Sequence, residues 1–175
     1  MDSTAILIVH ASTPAQLADA RRMFAGYALS LGWDLTGDRR LAHEMDALPG
    51  PYAPPRGSLL LAYVDGVPVG VLGLQAVPEG ARIAGVGAES AGELKRLFVQ
   101  PESRRHGLGL ALMLRAEAEA IARGYDSLVL TTSPEMMPLA QHLYESLGYT
   151  ESAPYRDDMP WPGIRWMRKG LAGAK

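Results

Sequence analysis

Apolar residues recur along this chain with two different periods. Residues 5–9 are a short β-branched apolar run, the composition of a buried strand and too short for a helix. Ser12, Thr13 and Pro14 then suit a helix cap and first turn, and Leu17, Ala20, Phe24, Tyr27, Ala28 and Leu31 follow at helical spacing until Gly32. A second, shorter helix is predicted over 38–48. Pro49, Pro51, Pro54 and Pro55 remove backbone donors in quick succession, so 49–55 reads as a stiff surface loop without regular structure.

Segments 58–64 and 67–77 flank Asp65-Gly66, a dipeptide that tolerates the positive φ of a tight hairpin turn. The glycine- and alanine-rich stretch 78–92 has no apolar period and reads as a mobile connection. A strand over 94–99, a helix over 107–123 closed by Gly124, and a strand over 127–132 come next. A helix over 138–147 stopped by Gly148 and strands near 149–152 and 164–168 complete the order. This succession predicts an α/β fold of layered α+β type, its sheet mixed and mostly antiparallel in the first half.

Composition narrows the chemistry. A chain of 175 residues, 47% hydrophobic and 21% charged, is the size and polarity of one globular domain spanning 1–175. A net charge of -2 with no basic stripe argues against nucleic acid and for a small-molecule partner. The absence of cysteine excludes disulfides, thiolate metal sites and a cysteine nucleophile. His10, His43, His106 and His142 have no metal-ligand spacing, so no metal is expected. Trp33, Trp161 and Trp166 read as packing anchors. The first apolar run is too short for a signal core or a membrane span, which points to a cytoplasmic protein with no membrane partner.

One segment carries candidate chemistry. The strand ending Leu97-Phe98-Val99 leads through a short loop into Arg104, Arg105, His106, Gly107, Leu108 and Gly109, and then directly into a helix. The first turn of a helix offers unpaired N–H groups, and glycines let a phosphate approach them, so the loop is a candidate pyrophosphate cradle. Glycines serving a tight turn beside solvated arginines is the equal alternative. A P-loop is excluded because Gly109 is followed by Leu110-Ala111, without the lysine and hydroxyl that phosphate and magnesium need. A dinucleotide fingerprint is excluded by the glycine order.

In these residues the chain resembles the GNAT superfamily of N-acetyltransferases. The segment from Arg104 to Gly109 is similar to its Gln/Arg-x-x-Gly-x-Gly/Ala coenzyme motif, with Pro101 before it. The run Ala140, Gln141, His142, Leu143, Tyr144, Glu145, Ser146, Leu147, Gly148, Tyr149 is similar to a second block of that family. The resemblance implies a mostly antiparallel sheet of six to seven strands flanked by about four helices. It implies acetyl-CoA as co-substrate, its pyrophosphate on the backbone of residues 105–109 beside Arg104, and its pantetheine arm along Phe98 and Val99. Glu93, eleven residues before Arg104, corresponds to a family glutamate that deprotonates the substrate ammonium, and Tyr144 to a tyrosine near the coenzyme sulfur. Met137 stands where many members carry a coenzyme-binding asparagine. Many relatives dimerise, so the resemblance allows a homodimer.

The chemistry accounts for such residues. An amine attacks only when neutral, and a carboxylate within reach takes its proton. The attack makes an oxyanion, for which a strand N–H such as that of Val99 is a donor, and the departing thiolate takes a hydrogen bond from a phenol. The lesser alternative for Glu93 is an exposed strand carboxylate paired with Lys95, and Tyr144 read without the coenzyme motif is a core aromatic. Arg56, Lys95, Arg96 and Arg156 are candidates to converge on a substrate carboxylate, which predicts a small amine bearing an acid, such as an amino acid; solvated charges with no common focus are the equal alternative. A protein lysine or N-terminal acetyltransferase and a silent acyl-CoA-binding module are the alternatives.

Overall fold

The computed structural model describes residues 6–37, 39–104, 106–157 and 162–171. The elements are β1 (Ile6–His10), α1 (Pro14–Ser30), α2 (Arg39–Asp46), β2 (Ser58–Val64), β3 (Val67–Ala76) and β4 (Ala91–Val99). They continue with α3 (Leu108–Ala122), β5 (Ser127–Thr132), α4 (Pro138–Ser146), β6 (Thr150–Glu151) and β7 (Arg165–Gly170). The strands form one seven-stranded sheet in the order β1-β2-β3-β4-β5-β7-β6. β1 to β4 are antiparallel neighbours, and β4 and β5 are the parallel pair.

Local chemistry fixes the first helix. The Thr13 hydroxyl accepts from the Gln16 backbone N–H at 3.3 Å while the Gln16 side chain accepts from Thr13 N–H at 3.1 Å, a reciprocal cap that satisfies donors at the start of α1. Its buried face, Ala20, Met23, Phe24 and Ala28, packs with Leu41 of α2 on Leu59, Leu61, Val71 and Phe98 of the sheet. The opposite face, Leu60, Leu72, Leu74, Leu94, Leu128 and Leu130, is covered by Leu112, Met113 and Ala116 of α3 and Tyr144 of α4. Successive strand side chains point to opposite faces, so a strand sandwiched between helix layers reads as the continuous run Leu59-Leu60-Leu61-Ala62. Burying each such leucine stabilises the fold by ~2 kcal/mol.

Two expectations are corrected here. Residues 49–55 are not a surface loop devoid of regular structure: Gly50–Tyr52 is a turn of 3-10 helix, and Tyr52 is 1% exposed. Its ring packs so closely on β3 that a Cβ on Gly73 would lie 2.4 Å from Tyr52 Cε1, and the apolar ring draws the proline segment inward. The glycine-rich stretch after β3 is partly ordered as well, because β4 begins at Ala91 and a 3-10 turn, Ala88–Ser90, precedes it.

β4 contains the sheet's central irregularity. Val71 pairs with Phe98 and Gly73 with Lys95, so Leu72 alone faces both Arg96 and Leu97. This is a β-bulge, and Arg96 adopts φ 62°, a conformation that non-glycine residues rarely take. Among the described residues no helix is long and apolar enough to cross a membrane.

Candidate active site

The parallel pairing of β4 and β5 is short. It covers Ala91↔Ser127, Gly92↔Leu128 and Glu93↔Val129 and stops there, while β4 continues along β3 and β5 along β7. The two strands part at Glu93. A cavity of about 940 Å³ lies in this fork, lined by Leu94, Lys95 and Leu97 of β4, Thr131 and Thr132 of β5, and Tyr144 of α4. Tyr27, Trp33 and Glu44, from α1, the following loop and α2, line its other side.

At the far end of β4 the chain turns into α3 through Gly107, whose φ of 72° suits glycine. Among the described residues no side chain caps the helix there, and, its chain neighbours apart, none lies within 4 Å of where a Cβ on Gly107 would stand. The first-turn amides, carrying the positive end of the helix dipole, are thus available to a phosphate. Leu108 is buried in the core, so it offers only backbone to a ligand. A Cβ on Gly109 would meet Leu143 Cδ2 at 3.4 Å. Arg104 donates from Nε to Val99 O at 2.9 Å and places its guanidinium carbon 6.0 Å from the Phe98 ring centre. His106 Nδ1 lies 3.3 Å from Ser103 O, and the Phe98 ring faces Gly26 of α1. Arg105 lies outside the described residues, as do Trp161 and the ends predicted at residues 5 and 38.

Glu93 is at the crotch of the fork but inside the wall, 1% exposed. Gln75 Nε2 donates to its Oε2 at 2.8 Å, Tyr155 OH donates to Oε1 at 2.8 Å, and Arg156 Nη1 stands 3.2 Å from Oε1. The reading of Glu93 as an exposed carboxylate paired with Lys95 is therefore corrected. Lys95 and Arg156, by contrast, line the cavity. Burial pushes the Lys95 ammonium below the usual lysine range; Glu93 opposes that shift and Arg96 and Arg156 add to it.

The four cations expected to converge divide. Lys95, Arg96 and Arg156 line the cavity. Arg56 does not join them: it donates to Glu89 O and lies over the Tyr125 ring at 4.3 Å. Arg96 is engaged by protein, donating from Nε to Glu44 Oε1 at 3.2 Å and from Nη2 to Oε2 at 2.6 Å, between the rings of Tyr27 and Trp33 at 5.6 and 5.7 Å. Tyr52 OH donates to the same carboxylate. Burial pushes Glu44 up, yet the Arg96 fork and the Tyr52 hydroxyl outweigh it and hold the carboxyl below its ordinary value. Burial, with the neighbouring Tyr27, pushes the Tyr144 phenol up, so it stays protonated at neutral pH.

Glu44, Gln75 and Tyr155 were not singled out in the sequence. Each reaches the site from more than fifteen residues away along the chain, and no local pattern marks such partners. Among the described residues no group of three His, Asp or Glu side chains is placed to hold a metal.

Comparison with known proteins agrees with this fold. A family model described as the acetyltransferase (GNAT) family matches residues 28–149. An uncharacterized N-acetyltransferase of Schizosaccharomyces pombe is 31% identical over 172 residues, covering 96% of each chain. Among solved structures, a GNAT acetyltransferase from Staphylococcus aureus superposes with a TM-score of 0.73 at 20% identity, over 95% of this chain and 99% of that one. A Salmonella typhimurium protein, yncA, solved with its cofactor acetyl-CoA, gives 0.66 at 21% identity over 96% and 95%.

Proposed function

The chain belongs to the acetyltransferase (GNAT) family, and from that premise we propose that it transfers acetyl from acetyl-CoA to the primary amine of a small, acid-bearing molecule such as an amino acid. Acetyl-CoA supplies the activated acyl group as a thioester. The uncapped amides of Gly107, Leu108 and Gly109 bind its pyrophosphate, Arg104 adds charge beside them, and the edge of β4 at Phe98 and Val99 accompanies the pantetheine arm. The open space at Gly107 supports this fit, since a side chain there would stand where the anion approaches.

Glu93, at the last paired position of the fork, takes the proton of the substrate ammonium through an intervening water. Tyr144, protonated and facing the cavity, gives a hydrogen bond to the departing sulfur.

The acceptor's acid is inferred from charge. Arg39, Arg40, Lys95, Arg96 and Arg156 line the cavity against the carboxylates of Asp34 and Glu44, an excess of cations in a chain whose net charge is -2. The single observation that carries the reading is that Lys95 and Arg156 both line the cavity, among five cations that face the two carboxylates of Asp34 and Glu44 in its described lining. A substrate carboxylate completes that arrangement. A panel of amines tests it by CoA release: amino acids should exceed neutral amines and polycationic amines in kcat/KM, and the reverse order would remove the assignment.

A further inference from the structure

Three lysines occur in this chain, Lys95, Lys169 and Lys175, against fourteen arginines. Lys169 is held by Glu117, its Nζ 2.8 Å from both carboxylate oxygens, and Lys175 lies outside the described residues. Among the described residues Lys95 is the one lysine in the cavity lining, where the other cations are arginines. For binding an anion, arginine would serve as well or better. Lysine differs in one chemical respect: once neutral, its nitrogen is a nucleophile, whereas a guanidinium stays protonated at neutral pH.

The setting of Lys95 favours that reactivity. It lies two residues beyond the crotch of the fork, on the strand segment that has left β5, and it shares the cavity with Tyr144. Among the described residues it makes no hydrogen bond or ion pair. Arg96 and Arg156 bear on it with Glu93 and Glu44, and burial together with the two guanidiniums lowers its proton affinity.

We propose that Lys95 is an internal acetyl acceptor: when no amine substrate fills the cavity, the enzyme acetylates its own Lys95 and so removes a cation from the acid-binding wall. The inference rests on the reading that the thioester lies in this cavity. The Nζ lone pair forms a bond to the acetyl carbon, the carbon–sulfur bond breaks, and the proton lost from nitrogen ends on the released thiol. No oxidant or further reactant is needed. An acid-bearing substrate blocks the reaction in two ways, by occupying the cavity and by pairing with the ammonium so that it stays protonated.

The test incubates the full chain with acetyl-CoA and no acceptor, follows intact mass, and maps the modified peptide. The expected result is one acetyl group on Lys95, gained at a rate independent of protein concentration and at least about tenfold faster than on Lys169, because only Lys95 shares the cavity with the thioester. K95R should lack the gain. Succinate, a dicarboxylate without an amine, should protect Lys95 in the unmodified chain, a readout that does not depend on the variant folding. Calorimetry with CoA and the amine panel run beside it. If CoA binds and amines are acetylated while Lys95 stays unmodified, or gains acetyl no faster than in heat-denatured chain, the self-acetylation idea is overturned and the proposed activity stands. Absence of CoA binding overturns both.

Discussion

Arg96 Nη2 lies 2.6 Å from Glu44 Oε2, joining a strand residue in a left-handed backbone conformation to α2, which lines the cavity. The bulge turns this side chain toward α2, and Tyr27 and Trp33 hold the guanidinium between them. Arg96 is thus a positioning residue, engaged with protein rather than offered to substrate.

Removing the charge of Glu44 tests that role. Glu44→Gln leaves Arg96 largely buried without its counterion, which should cost about 3 kcal/mol in denaturant unfolding at neutral pH. Because the folded carboxyl is held below its ordinary value of 4.5, the pair's contribution is complete above that pH and fades as pH falls through the lower folded value. The stability gap between wild type and variant should therefore narrow in acid. At neutral pH the KM for the amine should rise while affinity for CoA stays within about twofold, as α2 loosens on the acceptor side alone.

Tyr144→Phe keeps the ring in its packing against Tyr149 and removes the hydroxyl. We expect kcat to fall roughly a hundredfold with little change in either KM, as for loss of a proton donor acting in the transition state. Since burial keeps the phenol protonated, wild-type activity should show no loss attributable to this group through mildly alkaline pH.

Gly107→Ala forces a side chain into φ 72° and puts a methyl group in the open space before α3. The strain should lower stability by about 1 kcal/mol. Calorimetry should show CoA affinity down at least about tenfold, from obstruction of the first-turn amides. An unchanged affinity would place the pyrophosphate elsewhere.

Arg156→Ala should raise KM for acid-bearing amines by about tenfold or more and leave that for neutral amines nearly unchanged, as loss of one charge-assisted contact requires. Steady-state kinetics on one acidic and one neutral acceptor decides it.

Much of this architecture was legible in the sequence because its signals are local. The Asp65-Gly66 turn, the cap at Thr13 and the stop at Gly124 each mark an element through residues that touch one another. The seven strands and four helices follow from such marks. The proline segment misled because proline counts donors lost locally, while Tyr52 is drawn inward by apolar contact with a strand about twenty residues on.

Within the site, Lys95, Arg96 and Arg156 were foreseen as cavity cations, yet what distinguishes them was not. Arg96 is bound to Glu44 through a bulge that has no sequence signature, since arginine is not a residue that announces a positive φ. Glu93 was legible as a residue of interest, whereas its enclosure by Gln75, Tyr155 and Arg156 depends on three segments meeting only in the folded chain.

The short seam between β4 and β5 has a mechanical consequence. Three residue pairs join a four-stranded leaf to a three-stranded one, so the sheet is left one member short at its middle. Any extended ligand arm that lies there becomes a removable strand, bridging backbone to backbone and stiffening the molecule across its weakest line. Occupancy would then slow amide exchange on both leaves at once, and the protein would be most pliable between turnovers.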